Sequence, residues 1–225
     1  MPDSQPDRRT AIVLSNRTLQ AKGIITSTAR RVHAEKKGVR VFAVAESFGR
    51  GIGGGKKSVL AGVVMRRDLV IDGMAFGHAT IGGDDATGAI TSMYRSLGRD
   101  DVSCIMLDGL VISMYNIIDG EKISTDAGLP VVAITFEDSP KGLEDAIRHH
   151  FPDKKTQELK LTQYARLGRR ERVVLKTGKP LYIRQWGLTA RRALAVLNAF
   201  TLQGALPEPV KVAKIAARSA ASTFP

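Results

Sequence analysis

Three acidic residues stand where a carboxylate is placed to do chemistry. Glu46 and Asp108 each close an apolar segment, and Asp85 follows a pair of glycines. Carboxylates at the edge of a buried sheet cost free energy unless a cation meets them there. Their oxygens are the ligands that Mg²⁺ or Mn²⁺ prefers. In a chain with a net charge of +12, these acids indicate a divalent metal site with a phosphate group as its partner.

The hydrophobic pattern predicts the elements that would position these acids. In order, they are strands 39–46, 58–67 and 70–80, a helix 84–97, a strand 102–108, a helix 117–127 and a strand 131–136. The second and third strands are separated by only two residues, which favours an antiparallel hairpin. Three antiparallel strands followed by parallel βα units is the order of the ribonuclease-H-like fold. We therefore expect an α/β domain with a mixed five-stranded sheet and helices on both faces.

Beyond residue 136 the pattern is less regular. Residues 152–180 are basic and polar, and they have no clear period. The predicted elements of this part are a helix from Pro140 to His150, a late strand over 180–186, a helix that begins at Thr189 and a final helix after Pro209.

The positive charge is concentrated at the two ends of the chain. Residues 1–40 have a net charge of +6, residues 41–150 a net charge of −5 and residues 151–225 a net charge of +11. An acidic centre between basic flanks favours a polyanion held over a metal site, although basic tails that only solvate the surface remain the alternative. The candidate contacts to nucleic acid are Lys56 and Lys57 of a glycine-rich connection, and Arg169, Arg170 and Arg172.

Length and composition narrow the class of protein. The 225 residues suit one domain with an extension, which we predict as a basic segment 1–37 and a nuclease domain 38–225. No apolar run approaches the roughly 20 residues of a membrane span, and the single cysteine excludes an internal disulfide or a Cys-rich metal site. A soluble, cytoplasmic protein is expected.

Four short segments carry a resemblance to a known family. They are residues 40–48, the triplet Asp85-Ala86-Thr87, the triplet Leu107-Asp108-Gly109 and the segment Leu206-Pro207-Glu208-Pro209. In this order they resemble the archaeal endonuclease dU family, which is distantly similar to endonuclease V. The resemblance implies an endonuclease that hydrolyses a phosphodiester bond in DNA, at or beside a deaminated base such as deoxyuridine, in DNA repair. It also implies that Glu46, Asp85 and Asp108 bind one or two Mg²⁺ or Mn²⁺ ions and act in catalysis.

Two positions depart from the pattern of endonuclease V. Its first-strand aspartate falls at Ala45, and neighbouring strand residues face opposite sides of a sheet. Glu46 can therefore replace it only through a bulge or by lying past the end of the strand. Its histidine falls at Leu188, and the helix after Thr189 offers no acid as a fourth ligand.

These departures keep two other readings open. One is a nucleic-acid-binding protein on a nuclease-like scaffold with little or no turnover. The other is a metal-dependent enzyme that acts on a small phosphorylated substrate, which the basic flanks disfavour. A plain helix N-cap also explains either Asp84 or Asp85, and Asp119 is a weaker further candidate. Aromatic walls for an extruded base are available at Phe48, Tyr115 and Trp186.

Overall fold

The computed structural model describes residues 32, 34–47, 57–136 and 142–223. The strands are β1 (Arg40–Ser47), β2 (Lys57–Arg66), β3 (Ile71–Thr80), β4 (Val102–Asp108), β5 (Val111–Ile112), β6 (Asn116–Ile117), β7 (Val131–Thr135), β8 (Glu171–Val174) and β9 (Pro180–Trp186). The helices are α1 (Ala86–Ser96), α2 (Gly120–Ala127), α3 (Leu143–His150), α4 (Lys154–Arg166), α5 (Ala190–Ala199) and α6 (Glu208–Thr223). The predictions for Phe48, Lys56, Pro140 and nearly all of segment 1–37 fall outside the described residues.

The main sheet has the strand order β3-β2-β1-β4-β7-β9-β8. β1, β2 and β3 are antiparallel neighbours, whereas β1, β4 and β7 are parallel. This confirms the α/β fold class with a mixed sheet. The sheet has seven strands rather than the predicted five. The late strand over 180–186 adds antiparallel to β7 as β9, and β8 pairs outside it. β8 is a short, mostly exposed edge strand without a clean alternation, so its sequence gave no signal.

Alternate residues of the central strands build two apolar layers. Phe42 and Val44 of β1 belong to a cluster with Ile90 of α1 and Ile123 of α2. The alternate residues, among them Ala43 of β1 and Met106 of β4, form a second cluster with α5 and the start of α6. Helices therefore cover both faces of the sheet, and the strand ends carry the polar residues of the site.

Most helices lie where they were predicted, with differences at α2 and α4. α1 begins after Asp85 as expected. The helix that was predicted to begin at Thr189 is α5, and Thr189 is its N-cap. The predicted helix 117–127 is shorter, because Ile117 belongs to β6, Asp119 is the N-cap and α2 begins at Gly120. α4 lies in the segment without a clear period, because its fully buried side chain is Lys160 rather than an apolar residue. None of the described helices is long and apolar enough to cross a bilayer.

Candidate metal and nucleic-acid site

Glu46 lies near the end of β1, where its side chain is half-buried. Ser113 Oγ lies 3.0 Å from Glu46 Oε1 and donates a hydrogen bond to it. Ser58 Oγ lies 2.5 Å from Ser113 Oγ. Burial raises the pKa of Glu46 above its usual 4.5, the hydrogen bonds from Ser113 and Ser58 oppose this shift, and the charge of Asp108 raises the pKa further. Two carboxylates that repel each other in this way would both be stabilised by a bound cation.

The strand register decides which face of the sheet each candidate occupies. β1 pairs with β2 without a break at Glu46, so this strand has no bulge there. Val44 packs on the α1 side of the sheet, whereas Ala45 packs against Ala213 of α6. By alternation Glu46 shares the α1 face, and Ala45 is on the face towards α6. The pairing of β1 with β4 ends at Val44. Glu46 therefore lies two residues past the last pair of these two strands, at the edge of the sheet where they end.

Asp108 ends β4 on the α6 side of the sheet. Its Oδ2 lies 2.7 Å from the Nζ of Lys214 in α6. Lys214 directly follows Ala213, whose side chain packs against Ala45 in the same layer. Asp108 and Ala45 therefore share one face, and the carboxylate of Glu46 approaches this edge from the other.

Asp85 is the residue before α1, but its side chain does not cap that helix. Asp85 Oδ1 accepts hydrogen bonds from the backbone N of Thr80 at 2.9 Å and from Nδ2 of Asn116 at 2.7 Å. Asp85 Oδ2 accepts a bond of 2.6 Å from the Thr80 hydroxyl. Burial opposes the charged form of Asp85, but these hydrogen bonds prevail and hold its pKa below the usual 3.8. Asp85 is therefore a charged acceptor that ties the end of β3 to β6.

A tight hairpin between β5 and β6 links Asp85 to Glu46. Asn116 of the hairpin bonds Asp85, and Ser113 bonds Glu46. Ser113, Met114 and Tyr115 have φ angles of 44°, 54° and 70°. A left-handed conformation costs a non-glycine residue about 1–2 kcal/mol, and such strain often marks functional sites. The hairpin is thus a strained connection between two of the predicted site residues.

The three predicted ligands are not all brought together. Within the described parts of the chain, no three acidic, histidine or cysteine side chains form a ready-made metal cluster. Glu46 and Asp108 act on one another electrostatically, but Asp85 faces a different cleft. Asp119 is the N-cap of α2, and its Oδ1 accepts a bond of 2.9 Å from the backbone N of Lys122. The carboxylate oxygens of Glu46 and Asp108 are the kind of ligand that a hard divalent cation prefers. Asp85 lies at the neighbouring cleft.

A cleft of about 420 Å³ opens beside Glu46. Its lining includes the strained residues Ser113 and Tyr115 and two cations, Arg170 and Arg184. The cleft is therefore lined by one acidic and two cationic side chains. This arrangement can hold a phosphate-bearing ligand near the carboxylates.

A second, larger cleft of about 990 Å³ lies beside Asp85. Asp119, Gln163 and Trp186 also line it. Tyr115 and Trp186 therefore belong to different clefts, and the third aromatic candidate, Phe48, lies outside the described residues.

The predicted basic contacts occupy two places. Lys57 begins β2 and is exposed, one residue before Ser58 of the Glu46 network. Arg170 is half-buried and precedes β8, while Arg169 and Arg172 are exposed on either side of it. Of these arginines, Arg170 lines the Glu46 cleft.

Sequence reasoning missed several residues of this site. Lys214 is one of many cations in the basic C-terminal part, and only the docking of α6 reveals its pairing with Asp108. Ser113 and Asn116 had no recognisable signal, because the three-residue turn between β5 and β6 contains no glycine at its left-handed positions. Arg184 follows the apolar start of β9, and a charged residue in a strand with buried neighbours was the available signal.

Comparison with solved structures places this arrangement in a fold class. Endonuclease V of Ciona intestinalis, solved with a DNA that contains an inosine followed by a ribo-adenosine, covers 97% of this chain and 100% of its own at a TM-score of 0.55 and 13% identity. Endonuclease V of Bacillus subtilis gives a TM-score of 0.56 at 11% identity and covers 98% of this chain and 94% of its own. A protein of unknown function from Archaeoglobus fulgidus gives a TM-score of 0.68 at 24% identity, covering 80% and 97% of the two chains. The chain thus has the ribonuclease-H-like fold of endonuclease V.

The sequence relatives then identify the family. The sequence model described as Endonuclease dU matches residues 37–221. A UPF0215 protein of Pyrobaculum calidifontis is 41% identical over 176 residues, which cover 78% of this chain and 93% of the relative. The chain belongs to the endonuclease dU family.

Proposed function

We propose that this protein is a metal-dependent endonuclease that hydrolyses phosphodiester bonds in DNA. The observation that carries the proposal is the meeting of Glu46 and Asp108 at the ends of two neighbouring parallel strands, β1 and β4. Ligands of α/β sheets bind outside the carboxyl ends of such strands. Membership of the endonuclease dU family and the likeness in fold to endonuclease V support a nuclease.

In this proposal Glu46 and Asp108 hold Mg²⁺ or Mn²⁺ at the sheet edge, and Asp85 completes the set from the neighbouring cleft. A divalent ion bound there supplies an activated water and charge stabilisation of the leaving oxygen. Ser113 orients Glu46 through its hydrogen bond, and Thr80 and Asn116 keep Asp85 charged. The chain itself thereby orients Glu46 and keeps Asp85 charged.

In this proposal, lysine and arginine side chains near the cleft position the DNA substrate. Lys57 stands at the start of β2, and Arg170 lines the same cleft as Glu46. The contact with the sugar-phosphate backbone of the DNA would be extended by Arg169, Arg172 and Lys56. Cleavage at or beside a deaminated base is supported by the family description and by endonuclease V structures that hold inosine-containing DNA.

A cleavage assay tests this function. Purified protein is incubated with Mg²⁺ or with EDTA on inosine-containing, uracil-containing and undamaged DNA and on RNA. We expect Mg²⁺-dependent cleavage of a deaminated DNA, and a loss of at least about 100-fold in rate for Asp108→Asn. Asp68→Asn, which removes an exposed carboxylate paired with Arg66, is the matched control and should cut at the wild-type rate. Equal rates for the two variants would contradict the proposed site.

A binding protein without turnover is the second candidate, and one observation favours it. Ala45 lies on the face of Asp108 where a carboxylate would complete the site, and Lys214 already neutralises Asp108. This reading predicts DNA binding that needs no metal, together with no cleavage of any substrate in the same assay.

A further inference from the structure

Arg184 is a buried cation in the strand next to one edge of the sheet. It lies in β9, between β7 and β8, and only 8% of its surface is exposed. Its Nε and Nη2 donate hydrogen bonds of 3.0 Å and 2.9 Å to the carbonyl oxygen of Gly168. Among the described residues no carboxylate lies within ion-pair distance of Arg184. A guanidinium buried without a counter-charge is unfavourable unless an anion meets it.

A second cation acts on Arg184. Burial lowers the pKa of Arg184 and the neighbouring positive charge of Arg170 lowers it further, while a hydrogen bond with the side chain of Tyr164 opposes this shift. Both arginines line the Glu46 cleft of about 420 Å³. Both also line a smaller cleft of about 160 Å³ with Arg169 and Trp186. Glu171, which follows Arg170 in the chain, also lines the smaller cleft, and its Oε2 accepts a bond of 3.0 Å from Gln185.

We infer that Arg170 and Arg184 form a subsite for a phosphate group of the nucleic-acid strand, at a distance from the bond that is cut. The inference deepens the proposed function and rests on it. A guanidinium matches the oxygens of a phosphate in a planar, two-bond geometry. Two such groups beside a cleft supply the positive charge that one phosphate requires.

The sheet geometry gives the distance of this subsite from the carboxylates. Arg184 is the register partner of Ala133 in β7, and Ala133 packs on the same face as Val44 and hence Glu46. β9 is three strands away from β1, which at about 4.8 Å per strand gives roughly 14 Å across the sheet. Arg184 is level with Val44, and Glu46 lies two residues further along β1, so the separation is about 16 Å. At the rise of about 3.4 Å per base in a duplex strand, that is about five base steps. The subsite would therefore hold a phosphate further along the strand that Glu46 and Asp108 engage.

Trp186 provides a direct readout of this subsite. It is the only tryptophan of the chain, and it lines the smaller cleft with both arginines. Its ring is held firmly, since a Cβ atom at Gly120 would overlap it. Its fluorescence is recorded while inorganic phosphate is titrated into the full chain in EDTA, at constant ionic strength. We expect a saturable change in the wild type and at least tenfold weaker binding in Arg170→Gln.

A matched control and a second variant keep this test decisive. Arg66→Gln removes the same charge at the opposite end of the sheet, where Arg66 pairs with Asp68, and it should bind phosphate like the wild type. Arg184→Lys keeps the charge but loses the planar fork and a hydrogen bond to Gly168. Measured below its own unfolding transition, it should bind phosphate more weakly than the wild type. A wild type without saturable phosphate binding would overturn the inference.

A strand is distinguished from free phosphate by a second measurement. The affinity for a labelled oligonucleotide is measured by anisotropy in EDTA over a range of salt concentrations. The slope of log affinity against log salt should fall by about one in Arg170→Gln and stay unchanged in Arg66→Gln. An unchanged slope in Arg170→Gln overturns the strand assignment, even if inorganic phosphate binds. Because neither measurement needs turnover, absent cleavage with intact phosphate binding would contradict the nuclease proposal alone.

Discussion

The Nζ of Lys214 lies 2.7 Å from Oδ2 of Asp108 and joins α6 to the end of β4. The chain therefore supplies its own cation to the carboxylate at which a metal would bind. Lys214 is 39% exposed on its side chain and Asp108 is 15% exposed, so the lysine can swing away into solvent while Asp108 stays in place. A metal that binds Asp108 must compete with this ammonium group or share the carboxylate with it.

Replacing Lys214 should strengthen metal binding. Lys214→Met removes the competing charge, and an exposed ion pair contributes about 0.2–1 kcal/mol. We therefore expect a rise of about two- to fivefold in Mn²⁺ affinity, measured by calorimetry. The control is Lys211→Met, one turn earlier in α6, which breaks a pair with Glu208 instead. If both variants bind Mn²⁺ equally well, Lys214 has no part in the metal site.

Adding a carboxylate at Ala45 should complete the site on the α6 face. Ala45 is buried on the side of Asp108, so a carboxylate there would face Asp108 and lose its hydration. Ala45→Asp should lower the free energy of unfolding of the metal-free protein by about 1–3 kcal/mol. Mn²⁺ should restore this loss, because it pairs the buried charge.

The neutral variant Ala45→Asn separates metal binding from simple packing. It should lose similar stability in EDTA and regain none with Mn²⁺. Thermal unfolding with and without Mn²⁺ measures both effects. A failure of Mn²⁺ to stabilise Ala45→Asp more than Ala45→Asn would show that this face does not hold the metal.

Local patterns predicted the elements of the site, but not the contacts between distant segments. The apolar run before Asp108 predicted a strand that ends at this residue, and β4 ends there. Whether Ala45 or Glu46 shares its face depends on strand register and on the helix packed against each face, which one segment of sequence does not contain. The pairing with Lys214 joins residues more than one hundred positions apart, so no local rule could find it.

The part of the chain over 152–180 shows a second limit. α4 has few apolar residues on one face, and its fully buried side chain is Lys160. The Nζ of Lys160 lies 2.6 Å from Oδ1 of Asp84. An ion pair thus anchors this helix, where a stripe of apolar side chains usually would. Hydrophobic periodicity does not detect such a helix.

Removal of the Asp85 carboxylate should affect stability as well as metal binding. Asp85→Ala leaves the backbone N and hydroxyl of Thr80 and the amide of Asn116 without their acceptor. We expect the free energy of unfolding to fall by about 1–3 kcal/mol in urea titrations. Thr80→Val removes one of these bonds and leaves the carboxylate in place, so it is the control for metal affinity. If both variants bind Mn²⁺ like the wild type, Asp85 is a structural acceptor rather than a ligand.

The raised pKa of Glu46 predicts how stability depends on pH in the metal-free protein. Burial and Asp108 favour the protonated form of Glu46 in the folded state. From the usual carboxyl pKa of 4.5 up to the raised value, the folded state holds more protons than the unfolded state. The free energy of unfolding therefore falls as pH rises through this window, and the loss persists above it. Glu46→Gln, which cannot ionise, should lack this loss and be more stable than the wild type at pH 7 in EDTA.

Urea unfolding of the wild type and of Glu46→Gln between pH 4 and pH 8 measures this difference directly. The gap between the two proteins should open above pH 4.5 and then level off, because Glu46 is fully ionised beyond its raised pKa. The control is Glu121→Gln, an exposed residue in the first turn of α2, whose stability should follow the wild type over this range. Added Mg²⁺ should narrow the gap, since the ion stabilises the charged form of Glu46 only if that residue is a ligand. A difference in the free energy of unfolding that is the same at every pH would show that the pKa of Glu46 is not raised in the folded state.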